Sequence, residues 1–221
     1  MLKFFERKRS SNLLLMKNIR EYFGNIDIYL FDQILKERFL PGMKILDAGS
    51  GGGRNLIYFL RAGFEVFAVD QNFEAIEQVK YIARNLAPAL PPENFQIAPV
   101  EKIPFADESF DRIISSAVLH FAESENHFER MLLEMWRKLK PDGILFIRLA
   151  SSIGIEDKIV PTRNGRYNLP DGSERFLVDE KFLISKTEEL DGSLIEPVKT
   201  TNVQNLRCMT TWVLQKRESV L

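Results

Sequence analysis

Cysteine is almost missing from this chain of 221 residues, where Cys208 stands alone. A lone cysteine excludes an internal disulfide and any cysteine-rich metal site, and it fits a reducing, cytoplasmic setting. Histidine is nearly as scarce. His120 and His127 stand seven apart without a metal-binding pattern, so no metal is expected. No apolar run reaches the roughly 18 residues that a membrane-spanning helix needs. The cluster "NLLLM" (12–16) is far shorter, and no small-residue cleavage site follows it. No membrane partner is expected. Excess charge is missing too: 30 Lys and Arg face 31 Asp and Glu, a formal net charge of −1, so no global field argues for nucleic acid. Only the start departs from this balance, with Lys3, Arg7, Lys8, Arg9, Lys17 and Arg20 against Glu6 in the first twenty residues. It reads either as a solvated amphipathic helix, or as a transit peptide or membrane-surface helix.

What is present suits a soluble globular domain: 45% hydrophobic and 28% charged residues over a length sufficient for one sizeable core. From residue 44 to 149 short apolar runs alternate with longer periodic segments. "MKILD", "EVFAVD", "NFQIA", "DRIISSA" and "GILFIRLA" read as strands, and three of them are nearly continuous in apolar residues, as in a parallel sheet covered on both faces. Helices are expected over 54–62, over 73–86 behind an Asn72 cap, and over 126–140, where Phe128, Met131, Leu132, Met135 and Leu139 recur at helical spacing. "KPDG" (140–143) is expected to turn tightly into the next strand. This alternation implies a doubly wound α/β sheet with helices on both faces. Residues 16–39 look helical. Residues 151–176 form either a turn-rich insertion over the site or an excursion with a short hairpin. A helix over 179–190 and strands near 193–199 and 206–216 follow.

The densest signal is "KILDAGSGGGRN" (44–55). A phosphate-binding loop would need G-x-x-x-x-G-K-[ST], and no lysine is available. A dinucleotide turn would need G-x-G-x-x-G; counting from Gly49 puts Arg54, and from Gly51 puts Leu56, where the third glycine belongs. What stands there is Asp47, Gly49, Gly51 and Gly53. Asp70 ends the second strand about twenty residues on, where a carboxylate accepts hydrogen bonds from both ribose hydroxyls; otherwise it caps the following helix. Ligands in such sheets sit beyond the carboxyl ends of the strands, here Asp47, Asp70 and Ser116.

Five ordered motifs in residues 40–150 resemble the class I S-adenosylmethionine-dependent methyltransferases: "ILDAGSGGG", "VFAVDQN", "VEKIPFADESFD", "RIISSAVLHF" and "LKPDGILFI". Within that group, "GSGGGRN" is similar to the tellurite-resistance and related small-molecule enzymes. The resemblance implies a Rossmann-like, seven-stranded, mostly parallel sheet whose last strand pair is antiparallel. It implies S-adenosylmethionine as cofactor. Gly49, Gly51 and Gly53 would approach its methionine and ribose, Asp47 would orient the loop or the amino group through water, and Asp70 would hold the ribose. Gln71 would pack beside the adenine, Val100 and Glu101 would lie at its edge, and Ser116 would meet the methionine portion. Pro99 stands where many relatives carry aspartate.

The expected organisation is one methyltransferase domain over 1–221: N-terminal helices forming a lid (1–40), a cofactor-binding core (41–150), an insertion (151–178), and a C-terminal helix with strands (179–221). The expected reaction is in-line transfer of a methyl group to a small-molecule acceptor, a step in which alignment and exclusion of water supply most of the acceleration. A general base is needed only if the acceptor must lose a proton, and His120 is the candidate, or else a packed or capping histidine. Tyr22, Phe23 and Tyr29 either lid the site or pack the leading helices. Arg54, Arg148, Arg163 and Arg166 either grip an anionic acceptor or lie on the surface. Two rival readings are an RNA or protein methyltransferase docking through the basic start, and a non-catalytic cofactor-binding protein.

Overall fold

The computed structural model describes residues 19–218, so most of the basic start lies outside the described residues. Seven strands pair in the order β10-β11-β5-β4-β1-β2-β3, with β9 added beside β11. Their ranges are β1 Lys44–Ala48, β2 Glu65–Asp70, β3 Phe95–Ile97, β4 Phe110–Ser116, β5 Leu139–Ser151, β9 Gly192–Leu194, β10 Lys199–Val203 and β11 Arg207–Lys216. β1, β2, β3, β4 and β5 are mutually parallel, and β11 runs antiparallel to β5, β9 and β10. The doubly wound sheet with an antiparallel final pair is therefore the architecture observed.

Helices cover both faces because the buried strands alternate between two apolar layers. On one face Ile45, Val66, Ala68, Ile114 and Phe146 pack against α2 (Ile28–Leu35), α3 (Ile57–Arg61) and α4 (Phe73–Leu86). On the other, Leu46, Val69, Ile113, Leu145 and Trp212 meet α5 (Glu125–Lys138) and α6 (Glu180–Glu189). Phe128, Met131, Leu132 and Met135 form the buried stripe of α5, which is core packing. Side chains start the helices: Asn72 Oδ1 accepts from Glu74 N at 2.8 Å and Ala75 N at 3.3 Å, and Asp179 Oδ1 accepts from Phe182 N at 2.7 Å. Such caps contribute about 0.5–2 kcal/mol each.

Four local expectations change. The leading helical stretch is two short helices, α1 (Ile19–Phe23) and α2, separated by a turn in which Asp27 caps α2. The helix expected from residue 54 begins at Ile57, because the glycine turn continues through Leu56. "KPDG" loops out of a continuous strand: Phe110 pairs with Leu139 and Arg112 with Ile144, with Asp142 at φ +58° inside the bulge. The strand expected near 193–199 is divided into β9 and β10.

The 151–176 excursion is a three-stranded antiparallel unit, β6 (Val160–Pro161), β7 (Arg166–Asn168) and β8 (Glu174–Phe176). It closes a small apolar cluster of Ala150, Ile155, Leu169, Leu177 and Cys208.

Candidate functional site

The order β5-β4-β1-β2 reverses the direction of winding between β4 and β1, and a ligand crevice forms at the carboxyl ends of strands on either side of such a point. A cleft of about 1150 Å³ opens there, lined by the loop from Gly49 to Asn55, by Asp70 and Gln71, by Pro99 to Glu101, and by Ser116 to Val118. Gly49, Gly51, Gly53, Asp70, Gln71, Val100, Glu101 and Ser116 all line this one cleft, although they come from four separate stretches of chain.

Backbone bonds hold the loop in its path. Gly49 N and Ser50 N both donate to Val69 O, at 2.8 and 3.0 Å, and Gly51 N donates to Asp70 Oδ2 at 2.8 Å. At Gly49, φ is +81° and a Cβ would fall 2.5 Å from Val118 Cγ2, so a side chain is doubly opposed. Gly51, at φ +51°, has nothing within 4 Å of its missing Cβ and presents bare backbone to open space. The other Asp70 oxygen accepts from Asn72 N at 2.9 Å. Each carboxylate oxygen therefore keeps acceptor capacity after positioning the loop and the start of α4.

Asp47 lies beneath the loop, not in the cleft wall. It is 1% exposed, and its Oδ2 has no hydrogen-bond partner. Burial pushes its carboxyl up to about 7; Arg54 opposes the shift and Asp70 adds to it.

A second carboxylate, which the sequence did not single out, organises the other wall. Asp27 is 3% exposed. Its Oδ2 accepts from Ser116 Oγ at 2.9 Å and Arg148 Nη1 at 3.2 Å, and stands 3.6 Å from Arg54 Nη2. Arg54 Nη2 also donates to Ser116 Oγ at 3.1 Å, and Asp27 N donates to Asn55 Oδ1 at 3.0 Å. One buried carboxylate thus ties the segment before α2 to the glycine loop, β4 and β5. Of the expected acceptor-side residues, Arg54 lines the cleft, and Arg148 sits behind it with its guanidinium 5.0 Å from the Tyr29 ring centroid. Tyr22 and Tyr29 do not line the cleft. Tyr22 packs edge-on against Phe23 and Tyr58, and Tyr29 hydrogen-bonds Thr201; Gly24 and Asn25 reach the cleft instead.

His120 departs most from expectation. After Ser116, Ala117 adopts φ +66° and the chain makes a single 3-10 turn over Leu119–Phe121, which carries the imidazole away from the cleft. It lines a neighbouring cavity of about 280 Å³. Its Nδ1 accepts from Ala150 N at 3.1 Å, so the ring proton sits on Nε2. Burial, with Arg175 and Arg148 nearby, holds the imidazole down to about 4. A neutral ring in that tautomer is a donor toward the cavity, not a base toward the cleft. The cleft histidine is His127, whose Nδ1 accepts from Glu123 N at 3.2 Å and whose Nε2 stands 3.4 Å from Glu101 Oε1. Among the described residues, no group of three His, Cys, Asp or Glu is gathered as a metal site, and no helix is long and apolar enough to cross a membrane.

Residues 46–147 match the family model described as "Methyltransferase domain". The chain is 34% identical over 116 residues to the "Uncharacterized methyltransferase YodH" of Bacillus subtilis (strain 168), a match covering 52% of this chain and 44% of that one. It is 34% identical over 110 residues to the ubiquinone/menaquinone biosynthesis C-methyltransferase UbiE of Bordetella avium, covering 48% and 41%. The chain thus spans less than half the length of the curated relatives it matches. Among solved structures, an S-adenosylmethionine-dependent methyltransferase of Methanosarcina mazei superposes with a TM-score of 0.70 at 20% identity, over 84% of this chain and 98% of the other. The 1,6-didemethyltoxoflavin-N1-methyltransferase of Burkholderia thailandensis, with its substrate and S-adenosylhomocysteine bound, does so with 0.65 at 19%, over 96% and 90%. At these identities the superpositions speak for the fold. At the level of sequence, the likeness to methyltransferases is carried by residues 46–147. None of these names specifies tellurite resistance, and that narrower likeness rests on "GSGGGRN" and the overall size.

Proposed function

From a chain built around a methyltransferase domain, we propose an enzyme that transfers a methyl group from S-adenosylmethionine to a small-molecule acceptor. The observation that carries the reading is the coupling of Asp70 to the glycine loop: one carboxylate fixes Gly51 and the start of α4 while keeping lone pairs for a ribose diol. The residues present fit such a cofactor. Gly49, Gly51 and Gly53 let the backbone come close at three positions of the loop, and Asp47 Oδ2 beneath it is a buried acceptor without a partner, suited to orient the cofactor's cationic amine through water. Gln71, Val100 and Glu101, which line the cleft beyond Asp70, would meet the adenine. Pro99 supplies neither donor nor charge, so recognition of the adenine amine falls to a neighbour, with Glu101 the nearest carboxylate in sequence. Ser116 is already committed to Asp27 and Arg54, so it orders the wall that the methionine portion would meet.

When bound, the cofactor supplies a methyl carbon on a cationic sulfur. The protein's part is to align, enclose and exclude water, which for well-oriented reactants is worth roughly 7–11 kcal/mol. Asp27 contributes by joining the turn at Gly24–Asn25 to the strand ends. The same reading takes the chain as one catalytic unit, with residues 1–40 as lid and 151–178 on the acceptor side.

A small acceptor is favoured by the near-zero net charge and by the relatives' names, which specify quinone and toxoflavin precursors. The test is to incubate the protein, a cell extract and methyl-labelled S-adenosylmethionine, then divide the products by size. Label in the small-molecule fraction supports the proposal. Label confined to RNA or protein favours macromolecular methylation through the basic start, and no transfer despite cofactor binding favours a non-catalytic binding protein.

A further inference from the structure

The 280 Å³ cavity beside the cleft is lined by three arginines, Arg148, Arg175 and Arg207, against one carboxylate, Asp171. It meets the cofactor cleft at Ala117, which lines both, in a left-handed conformation that costs about 1 kcal/mol or more in a non-glycine residue. Phe121, in the cleft wall, carries the Arg175 guanidinium 4.9 Å from its ring centroid. The two spaces therefore share a wall.

The cavity's donors exceed what the protein uses. His120 gives its Nδ1 lone pair to Ala150 N–H, and among the described residues Nε2–H has no acceptor. Arg175 donates from Nη1 to Glu174 O at 2.7 Å, and no carboxylate of the described residues pairs with it. Arg148 shares Asp27 with Arg54, and its buried Nε–H has no partner. Arg207 is more open and pairs loosely with Asp171, its Nη1 3.6 Å from Oδ2, while Asp171 Oδ1 accepts from Ser173 N and Oγ, so among the described residues Arg175 is the cavity guanidinium without a carboxylate. Unpaired donors and surplus positive charge in a semi-enclosed space call for an anion of the ligand itself.

We infer that this cavity binds the oxyanion group, carboxylate or phosphate, of the methyl acceptor, through Arg175 and His120 Nε2–H with Arg207 at its edge. The inference rests on the methyltransferase reading for the word acceptor, and on the geometry alone for the anion. It gives His120 a binding role: a neutral donor fixed by Ala150, in a field set by Arg175 and Arg148. It also gives the 151–176 excursion a purpose, since Leu169, Asp171, Ser173 and Arg175 are its contribution to the cavity.

The chain has only two histidines, so imidazole NMR reports on the site directly. The full chain is titrated with benzoate, phenyl phosphate and neutral benzamide, and His120 is assigned by comparison with His127→Gln. A saturable shift of the His120 Nε2–H signal by one anion or both, absent with benzamide, supports the inference; which anion acts tells carboxylate from phosphate. Arg175→Gln should weaken that anion about tenfold or more, as should Arg207→Gln, an exposed position with little bearing on folding. No saturable shift with either anion, an equal shift with benzamide, or unchanged binding in both variants overturns the inference. S-adenosylhomocysteine is titrated calorimetrically into the same samples. Its binding without anion binding overturns this inference alone, whereas anion binding without it overturns the methyltransferase reading and leaves an anion site that is not an acceptor site.

Discussion

Replacing Asp47 with asparagine should stabilise the protein at neutral and alkaline pH while damaging its site. The carboxyl is buried, has one unpartnered oxygen, and is pushed from an ordinary 3.8 up to about 7, chiefly by burial. An acid whose folded-state pKa is raised holds its proton more tightly in the native chain than in the unfolded one. Its unfavourable contribution is therefore absent below about pH 4, grows as pH rises from 4 toward 7, and is constant above 7. The slope approaches about 1.4 kcal/mol per pH unit, so the loss between pH 5 and pH 8 is roughly 2–3 kcal/mol. Asparagine has no such titration. Urea unfolding of both proteins at several pH values isolates the effect, because carboxylates with the opposite sign, such as Glu196, held down to about 2 by Lys36 and Lys199 against its own burial, cancel in the difference. The stability of Asp47→Asn relative to the parent should rise by roughly 2–3 kcal/mol from pH 5 to pH 8. Parallel pH profiles would refute the reasoning, since they would mean that Asp47 ionises normally in the folded state. The same substitution should weaken S-adenosylhomocysteine, a trade of function against stability common at ligand sites.

Asp70→Ala should weaken S-adenosylhomocysteine by roughly 10- to 100-fold in calorimetry, since it removes charge-assisted bonds worth about 1.5–3 kcal/mol and frees the Gly51 N–H. Asp27→Ala should cost about 3 kcal/mol in chemical denaturation, because Arg148 and Ser116 lose the partner they share. Gly49→Ala should cost about 2–4 kcal/mol, combining a left-handed backbone with the clash against Val118, and a Val118→Ala background should recover part of it. A loss for Gly49→Ala that Val118→Ala leaves untouched would locate the whole cost in the backbone.

The sheet core was legible because its signals are local. Apolar runs ending in Asp47, Asp70 and Ser116, and a helix opened by Asn72, need no distant information to be read. The later features depend on what the chain meets in space. Asp27 reaches across 89 residues to Ser116 and 121 to Arg148, and nothing around it in sequence marks it except its place before a helix. His120 is four positions past Ser116, so spacing suggests a shared direction, but the left-handed Ala117 and the 3-10 turn send it to the other side of the wall. His127 shows no motif, and its link to Glu101 exists only because α5 packs against the segment after β3. "KPDG" has the residues of a tight turn between a helix and a strand, but β5 already starts pairing at Leu139 and resumes at Ile144 after the excess residues loop out at Asp142.

The central claim is that the cleft at the β1–β4 crossing holds S-adenosylmethionine, and its most direct test is a calorimetric titration of the full chain with S-adenosylhomocysteine. One molecule per chain, bound with a Kd in the micromolar range and weakened at least tenfold by Asp70→Ala, is the expected result. Absence of binding, or binding indifferent to Asp70→Ala, would contradict the account.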